Sequence, residues 1–478
     1  MTAGSPLFLE SIPVVAFTTL GCPKNEVDTD LMRRAVEQAG YRSSEYFAEK
    51  PGQAAAIVVN TCSFIQEATE ASIEAIFDAL EVSPSSVDRP VVIVAGCIVN
   101  RYADDLASEM PEVEAFIKVG DTDALVRVLR DCLAPGSPVP LERAAGQPRT
   151  YEYLRIADGC DRKCTFCTIP SIRGPYVSRT PEDILGQAQT FIAAGTRELI
   201  VIAQDIGRYG SDLQGGDGNT VEPNAKLVKL LEQLASLPGL KRLRLMYLQP
   251  EGLTDDLIAT MARNPQIVPY LEVPLQHVSP RILKAMGRNP RDVANFTTQL
   301  GRARTLIPEL AVRTTLIAGF PGETEEEFTQ LCDFVEACAF DYVGVFPYSP
   351  EEGTRAAKLP GQIDEATRLK RAQTLRDLSD SIAWSKMAQR AGQTVEVLVE
   401  GCDDGEDVLI ARASFQAPDI DGIVRVSPPA AGSAQEAATA AFFAAHQANT
   451  YLEVEFTDAI LYDMDARIIA IEGERDEV

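Results

Sequence analysis

Cys160-Asp161-Arg162-Lys163-Cys164-Thr165-Phe166-Cys167 places three thiols within eight residues at a CxxxCxxC spacing, directly after the strand-like run Tyr153-Leu154-Arg155-Ile156-Ala157. Thiolates this close can grip one iron-sulfur cluster from a single loop. A cubane has four irons, so three thiolates leave one iron without a protein ligand and open to a small molecule. The spacing therefore points to chemistry rather than to a passive electron carrier. A structural zinc site wants four ligands. No fourth lies nearby, in a chain whose only histidines are His277 and His446. A disulfide set would strand an odd thiol and need an oxidising compartment.

Outward from this loop, residues 151 to 349 alternate strands and helices. Candidate strands are 153–157, 197–203, 241–247, 270–273, 311–318 and 341–347, separated by helical patterns such as Pro181 to Ala194 and Glu325 to Cys338. Six such units fall short of the eight of a closed barrel, so a partial (β/α)6 TIM-like barrel is expected. A polar loop interrupts it at Ser211 to Asn224, and a helical connector follows from Gln362 to Ala391. Upstream, 14–20, 56–60 and 90–95 are Val/Ile-rich strands alternating with helices near 28–39, 66–80 and 102–110. This is the pattern of an open parallel α/β domain over residues 12–132. Prolines and glycines mark 133–150 as a linker. After Gly392 short β runs at 395–399, 408–413, 422–426 and 451–456 suggest a small barrel of the oligonucleotide-binding type over 392–474. The Ala-rich stretch 429–449 reads as an insertion in it. The fold class is thus α/β with a terminal β-barrel.

The chain has 478 residues, 45% hydrophobic and 24% charged, as in a soluble globular protein. It shows neither a membrane-length apolar run nor a signal peptide at its start, so a reducing, cytosolic setting is expected, in which thiols stay free for metal. Net charge is −26. That repels bare nucleic acid and favours a basic partner. More than half of the excess lies in residues 393–478, which carry 18 acidic and 4 basic side chains.

A second set of thiols shares a pattern. Cys22, Cys62 and Cys97 each follow the end of an N-terminal strand, in Leu20-Gly21-Cys22, Asn60-Thr61-Cys62 and Ala95-Gly96-Cys97. The carboxyl ends of parallel strands line one edge, where ligands bind. Three thiols delivered there can hold a second cluster; three buried core thiols are the alternative. Gly21 and Gly96 would allow close backbone approach. Cys132, Cys332, Cys338 and Cys402 lack the pattern and read as packing residues.

Together these features resemble the radical S-adenosylmethionine methylthiotransferases. The matching residues span nearly the whole chain: Gly21-Cys22-Pro23-Lys24-Asn25, Asn60-Thr61-Cys62, Gly96-Cys97, Asp158-Gly159-Cys160, Pro170-Ser171-Ile172-Arg173-Gly174, Val273-Pro274-Leu275-Gln276-His277 and Gly319-Phe320-Pro321-Gly322-Glu323-Thr324. On this resemblance the terminal barrel is of the TRAM type. Two subfamilies compete. The MiaB type modifies an adenosine of transfer RNA; the RimO type modifies an aspartate in protein twelve of the small ribosomal subunit. Cys22-Pro23-Lys24-Asn25, Pro170 to Gly174 and Ala417-Pro418-Asp419-Ile420-Asp421-Gly422 resemble the RimO type. The acidic terminal domain suits a basic ribosomal protein better than phosphates, with Asp419 and Asp421 expected to help dock it. The Ala-rich insertion departs from the family pattern.

The resemblance implies two 4Fe-4S clusters, one on Cys160, Cys164 and Cys167 and one on Cys22, Cys62 and Cys97. The first binds the amino and carboxyl groups of S-adenosylmethionine at its open iron and cleaves it reductively to a 5′-deoxyadenosyl radical. That radical removes a hydrogen from the β-carbon of the target aspartate. The second presents the sulfur, which takes a methyl group from another S-adenosylmethionine before transfer. Gln204 and Asp205 are expected near the methionine amino group, and Gly319 and Phe166 near the adenine. Glu272 and His277 flank the fourth barrel strand, and a structural role suits His277. An electron donor such as flavodoxin or ferredoxin is implied, and the ribosomal protein can be met free or in the ribosome. A non-catalytic iron-sulfur adaptor would also explain an acidic barrel and clusters, but not open coordination beside a barrel pocket.

Overall fold

The computed structural model describes residues 12–46, 54–81, 90–134, 149–213, 224–403, 405, 407–428 and 449–471. Most of the expected linker, the middle of the 211–224 loop and nearly all of the Ala-rich stretch lie outside the described residues. The chain divides into two compact units. The first takes residues up to Gly146 with Gly159–Arg162 and Cys167–Pro175; the second takes Gln147–Asp158, Lys163–Phe166 and the chain from Tyr176 onward.

The first unit runs β1 (Val14–Thr19), α1 (Pro23–Gln38), β2 (Arg42–Glu45), β3 (Ala56–Thr61), α2 (Gln66–Glu81), β4 (Val91–Gly96), α3 (Cys97–Glu109), β5 (Ala115–Ile117) and α4 (Thr122–Cys132), and it includes α5 (Ile169–Arg173). Its sheet is parallel throughout, in the order β2-β1-β3-β4-β5. β3 is buried at every position, as a central parallel strand covered on both faces must be. Val36, Leu125 and Leu129 pack on Val15, Phe17 and Val58 on one face. Ile76, Ile98 and Leu106 pack on Ile57, Val59 and Val94 on the other. The sequence reading lacks β2 and β5. β2 is a polar edge strand, RSSE, and β5 has only three residues, so neither shows an apolar run.

In the second unit β6 (Tyr151–Arg155) leads to a short pair, β7 (Ala157–Asp158) and β8 (Val177–Ser178). Then follow α6 (Pro181–Ala193), β9 (Glu198–Ile202), α7 (Ala225–Ala235), β10 (Arg242–Leu245), α8 (Asp255–Arg263), β11 (Tyr270–Glu272), α9 (Pro280–Ala285), α10 (Pro290–Leu306), β12 (Ala311–Ala318), α11 (Glu325–Cys338), β13 (Tyr342–Pro347) and α12 (Glu365–Ala388). The six long strands form two parallel sheets, β6-β9-β10 and β11-β12-β13, and a bridge from Leu243 to Ile267 carries the first toward the second. This is the open, partial barrel expected from six strand-helix units. Thr180, Thr254, Ser279 and Thr324 cap their helices by accepting a backbone N–H, each worth about 1 kcal/mol.

β14 (Thr394–Asp403), β15 (Val408–Ala413), β16 (Val424–Ser427), β17 (Tyr451–Ile460) and β18 (Asp463–Ile471) close into a barrel in the order β14-β15-β16-β18-β17. This terminal barrel packs under the amino-terminal ends of the six parallel strands. Buried Glu198, the first residue of β9, accepts from Arg244 Nε at 2.7 Å and pairs with Arg412 Nη2 of β15 at 2.8 Å. Arg242 donates to the carbonyls of Arg412 and Glu396, and its guanidinium lies 4.9 Å from the Tyr451 ring. Tyr270 and Arg313 both bind Asp421, at 2.6 and 2.5 Å. Asp421 is fully buried and also accepts the Ala417 N–H, so it fastens the two barrels and does not face a partner as the sequence reading has it. Asp419 is exposed and takes the Tyr151 hydroxyl at 3.0 Å. The acidic domain therefore stands at the opposite end of the partial barrel from the loops that follow its strands.

Burial alone would raise the Glu198 carboxyl; Arg244, Arg412 and Arg242 overcome it and hold the group at about 2, below its usual 4.5. Its stabilising contribution is complete above about pH 4.5 and is lost as the pH falls toward 2. Glu198→Gln should therefore cost about 3–5 kcal/mol in urea unfolding at pH 7, by leaving buried guanidinium groups uncompensated. The difference from wild type should shrink steadily below about pH 4.5.

Candidate active site

Cys22 caps α1 after β1, Cys62 follows β3 and Cys97 opens α3 directly after β4. Parallel pairing of these three adjacent strands brings all three thiols to one edge. β1 and β3 flank the point where the strand order reverses, the usual ligand crevice of an open sheet. Gly21 sits at φ +101°, and a Cβ there would lie 2.7 Å from Cys62 Cβ and 2.9 Å from its sulfur. A Cβ on Gly96 would strike the Asn60 side chain and the Thr61 backbone. Both glycines are thus required for the close approach.

An amide lattice holds the edge together. Asn25 Nδ2 donates to the carbonyls of Leu20 and Thr61, and Asn60 Nδ2 donates to the Asn25 carbonyl and to Thr29 Oγ1. Arg173, at the end of α5, donates at 2.8 Å to both Asn25 Oδ1 and Asp28 Oδ2 and reaches Cys97 Sγ at 4.0 Å. Burial pushes the Cys97 thiol up to about 12; Arg173 pulls it down, and charge on Cys62 or Cys22 pushes it further up. Burial likewise raises Cys62, and Cys22 adds to the rise. The three sulfurs thus feel one another, beside a fixed positive charge. The sequence reading quotes Arg173 and Asn25 within motifs but assigns them no role. The 148 residues between them leave no local signal of the pairing.

Cys160 is buried, and Cys164 and Cys167 are half-buried. Cys160 and Cys167 belong to the first unit and Cys164 to the second. Within the second unit the loop is sewn down. Thr165 donates from its N–H to the Met286 carbonyl at 2.9 Å and from Oγ1 to the Ala285 carbonyl at 2.8 Å, and it accepts the Ala356 N–H. Arg355 donates to the Lys163 carbonyl. Phe166 packs against the cluster of Ile282, Met286, Ile317, Phe320 and Tyr348.

The other expected site residues also lie where the parallel strands end. After β9, Gln204 donates from Nε2 to Asp158 Oδ1 at 2.8 Å, while its buried Oε1 has no hydrogen-bond partner among the described residues. Asp205 accepts the Gly207 N–H and so closes its own turn. After β12, Gly319 sits at φ +77°, and its bare face meets α12: a Cβ would lie 2.6 Å from Arg368 Cγ. Its N–H donates to Glu323 Oε2 at 3.0 Å. Glu323 also takes Arg371 Nη1 at 2.8 Å and faces His277 Nε2 at 3.3 Å. His277 Nδ1 accepts the Ser279 N–H, so the ring proton sits on Nε2, toward Glu323. His277 is fully buried. Glu272 accepts the Tyr247 N–H at 3.1 Å. Cys338 lies in the barrel core and Cys332 packs against it.

Among the described residues no three Cys, His, Asp or Glu side chains stand in an array for a single metal ion. One zinc at ~2.3 Å from each sulfur would hold thiolates roughly 3.8 Å apart; a cubane spans a wider edge. Three soft, converging thiols beside an arginine fit such a cluster, and the orphaned Gln204 Oε1 fits a ligand with a donor group.

Over residues 14–118 the chain matches an uncharacterized protein family, UPF0004; over 154–335 the radical SAM superfamily; and over 391–469 the TRAM domain. It is 39% identical to the ribosomal protein uS12 methylthiotransferase RimO of Anaeromyxobacter sp., across 96% of this chain and 93% of that one. It is 36% identical to the protein of the same name from Geobacter sulfurreducens, across 95% and 98%. Among solved structures, the radical S-adenosylmethionine methyltransferase TsrM from Kitasatospora setae, with cobalamin and a 4Fe-4S cluster bound, aligns with a TM-score of 0.51 at 16% identity, over 71% of this chain and 77% of that one. That likeness is one of fold.

Metal-free protein treated with iodoacetamide near neutral pH should be labelled at half-buried Cys22 well before Cys97, whose thiol is buried and pushed up by that burial to about 12. Peptide mapping over time checks the order, and loading with iron and sulfide should protect both.

Proposed function

Since the chain belongs to the family of ribosomal protein uS12 methylthiotransferases named RimO, we propose that it places a methylthio group on the β-carbon of an aspartate of uS12, using two 4Fe-4S clusters. It is a radical S-adenosylmethionine methylthiotransferase that acts on uS12, with S-adenosylmethionine and 4Fe-4S clusters as cofactors. What carries this reading is identity of 39% along 96% of the chain, a span that takes in both three-thiol sets.

Cys160, Cys164 and Cys167 hold one cluster, and Cys22, Cys62 and Cys97 hold the other. When bound, the clusters and S-adenosylmethionine supply the electron, the radical chemistry and the methylthio group. The chain's own residues bind and orient. Gln204 offers its buried Oε1 to the methionyl ammonium, and Asp158 holds the amide through its Nε2. Asp205 shapes the turn behind it. Phe166 and the Gly319 turn, pinned by Glu323, form the adenine side. Arg173 provides a permanent positive charge next to Cys97, which favours the thiolate a metal requires.

The functional divisions follow as residues 12–132 for the second-cluster domain, 151–391 for the radical barrel and 392–474 for the TRAM barrel, with 133–150 as linker. A flavodoxin or ferredoxin serves as reductant, and the reaction takes place in the cytoplasm, where the ribosomal substrate is made. No helix among the described residues is long and apolar enough to cross a membrane. Net charge of −26 argues against the transfer RNA alternative.

After anaerobic reconstitution the protein should carry about eight irons, and replacing Cys160, Cys164 and Cys167 by Ala should leave about half. The Cys22, Cys62 and Cys97 triple Ala variant should still form 5′-deoxyadenosine but add no methylthio group to uS12, as read by mass spectrometry. Methylthiolated uS12 from that variant would overturn the division of labour. Modification of transfer RNA rather than uS12 would overturn the substrate.

A further inference from the structure

Among the described residues Arg288 has no carboxylate partner, in a chain of 70 acidic residues. It directly follows Met286 and Gly287, the segment to which the cluster loop is bound. Thr165 donates to the Met286 carbonyl at 2.9 Å, and a Cβ on Gly287 would lie 2.6 Å from the Lys163 carbonyl oxygen. The half-buried guanidinium spans the loops after two strands. Its Nη2 donates to Gln249 Oε1 at 2.6 Å, after β10, and to the Pro274 carbonyl at 3.1 Å, after β11. Both acceptors are neutral. Close to each, a non-glycine residue is held in the left-handed region, Tyr247 at φ 65° and Gln276 at φ 69°. Such conformations are costly and gather at functional sites. The two bonds orient the head group and leave three of its five N–H groups, on Nη1 and Nε, without a partner among the described residues.

We propose that Arg288 is the carboxylate-binding residue at this end of the barrel, and that the carboxylate it takes is that of the target aspartate. This rests on the reading of the chain as a uS12 methylthiotransferase. An anionic side chain entering a protein of net charge −26 needs a local cation, and Arg288 supplies one beside the cluster loop. The carbon to be modified adjoins the carboxylate, so anchoring the carboxylate fixes that carbon. The methionyl carboxylate of S-adenosylmethionine is the other source of the same chemistry, but the open iron of a three-thiolate cluster already offers it a ligand.

The test uses the reconstituted full-length protein with Arg288→Gln and Arg288→Lys variants, each checked for unchanged iron content. Binding of fluorescein-labelled uS12 peptides carrying the target Asp, or Asn in its place, is measured by anisotropy, and binding of S-adenosylmethionine by equilibrium dialysis. Wild type should prefer the Asp peptide by about tenfold or more, the scale of one charge-assisted hydrogen bond. Arg288→Gln should erase the preference, Arg288→Lys should keep part of it, and S-adenosylmethionine affinity should stay the same in all three. A merely structural strap would weaken both peptides alike. An Arg288→Gln variant that retains the preference, or that loses S-adenosylmethionine affinity instead, overturns the aspartate assignment. A wild type that does not distinguish the peptides overturns the functional reading together with it.

Discussion

Parallel pairing makes neighbouring strands end on the same edge, and both sites of this protein depend on that constraint. In the first unit it carries Cys22, Cys62 and Cys97 to one rim although 40 and 35 residues separate them in sequence. In the second it collects Asp158, Gln204, Gln249, Pro274 and Gly319 at the carboxyl ends of five strands. Each loop can then vary for chemistry while the strands keep the register. The helices that return the chain cover both faces of the first sheet, so the rim is where backbone and thiols remain available.

The other end of the partial barrel is closed by charge. Glu198, Arg244 and Arg412 form a buried network with Tyr270 stacked 4.8 Å from Arg244, and Asp421 joins Arg313 to Tyr270. Buried ions are held this way only when most of their polar atoms find partners. The network joins the terminal barrel to the amino-terminal ends of the strands above it. Its acidity is therefore of two kinds. Asp421 and Glu400 are spent on fastening, whereas Asp419 and Glu453 lie nearer the surface. That surface stands far from the loops at the strand ends. Arg288 lies instead among the loops themselves, bonded to Gln249 and Pro274.

Much of this was legible in the chain. The CxxxCxxC run, the Gly-Cys and Thr-Cys junctions at strand ends and the count of six strand-helix units all rest on short-range spacing, and the six barrel strands fall within two residues of where their apolar runs place them. The edge strands β2 and β5 escaped because one is polar and the other three residues long. Gly319 was read for a ligand's approach, and its missing side chain also makes room for Arg368 of α12. Gln204 and Asp205 look equivalent as neighbours in sequence, but one keeps an oxygen unpartnered among the described residues while the other closes its own turn.

By itself, then, the sequence determined the fold class, the two thiol sets and the excess of acid at the end of the chain, because periodicity, ligand spacing and composition are local quantities. Only the tertiary structure decided which charges meet. Arg173 finds Asp28 across 145 residues, Arg412 finds Glu198 across 214, and Arg313 finds Asp421 across 108. Nothing in the neighbourhood of any of these residues names its partner, since a guanidinium is satisfied equally by any carboxylate the fold brings within reach.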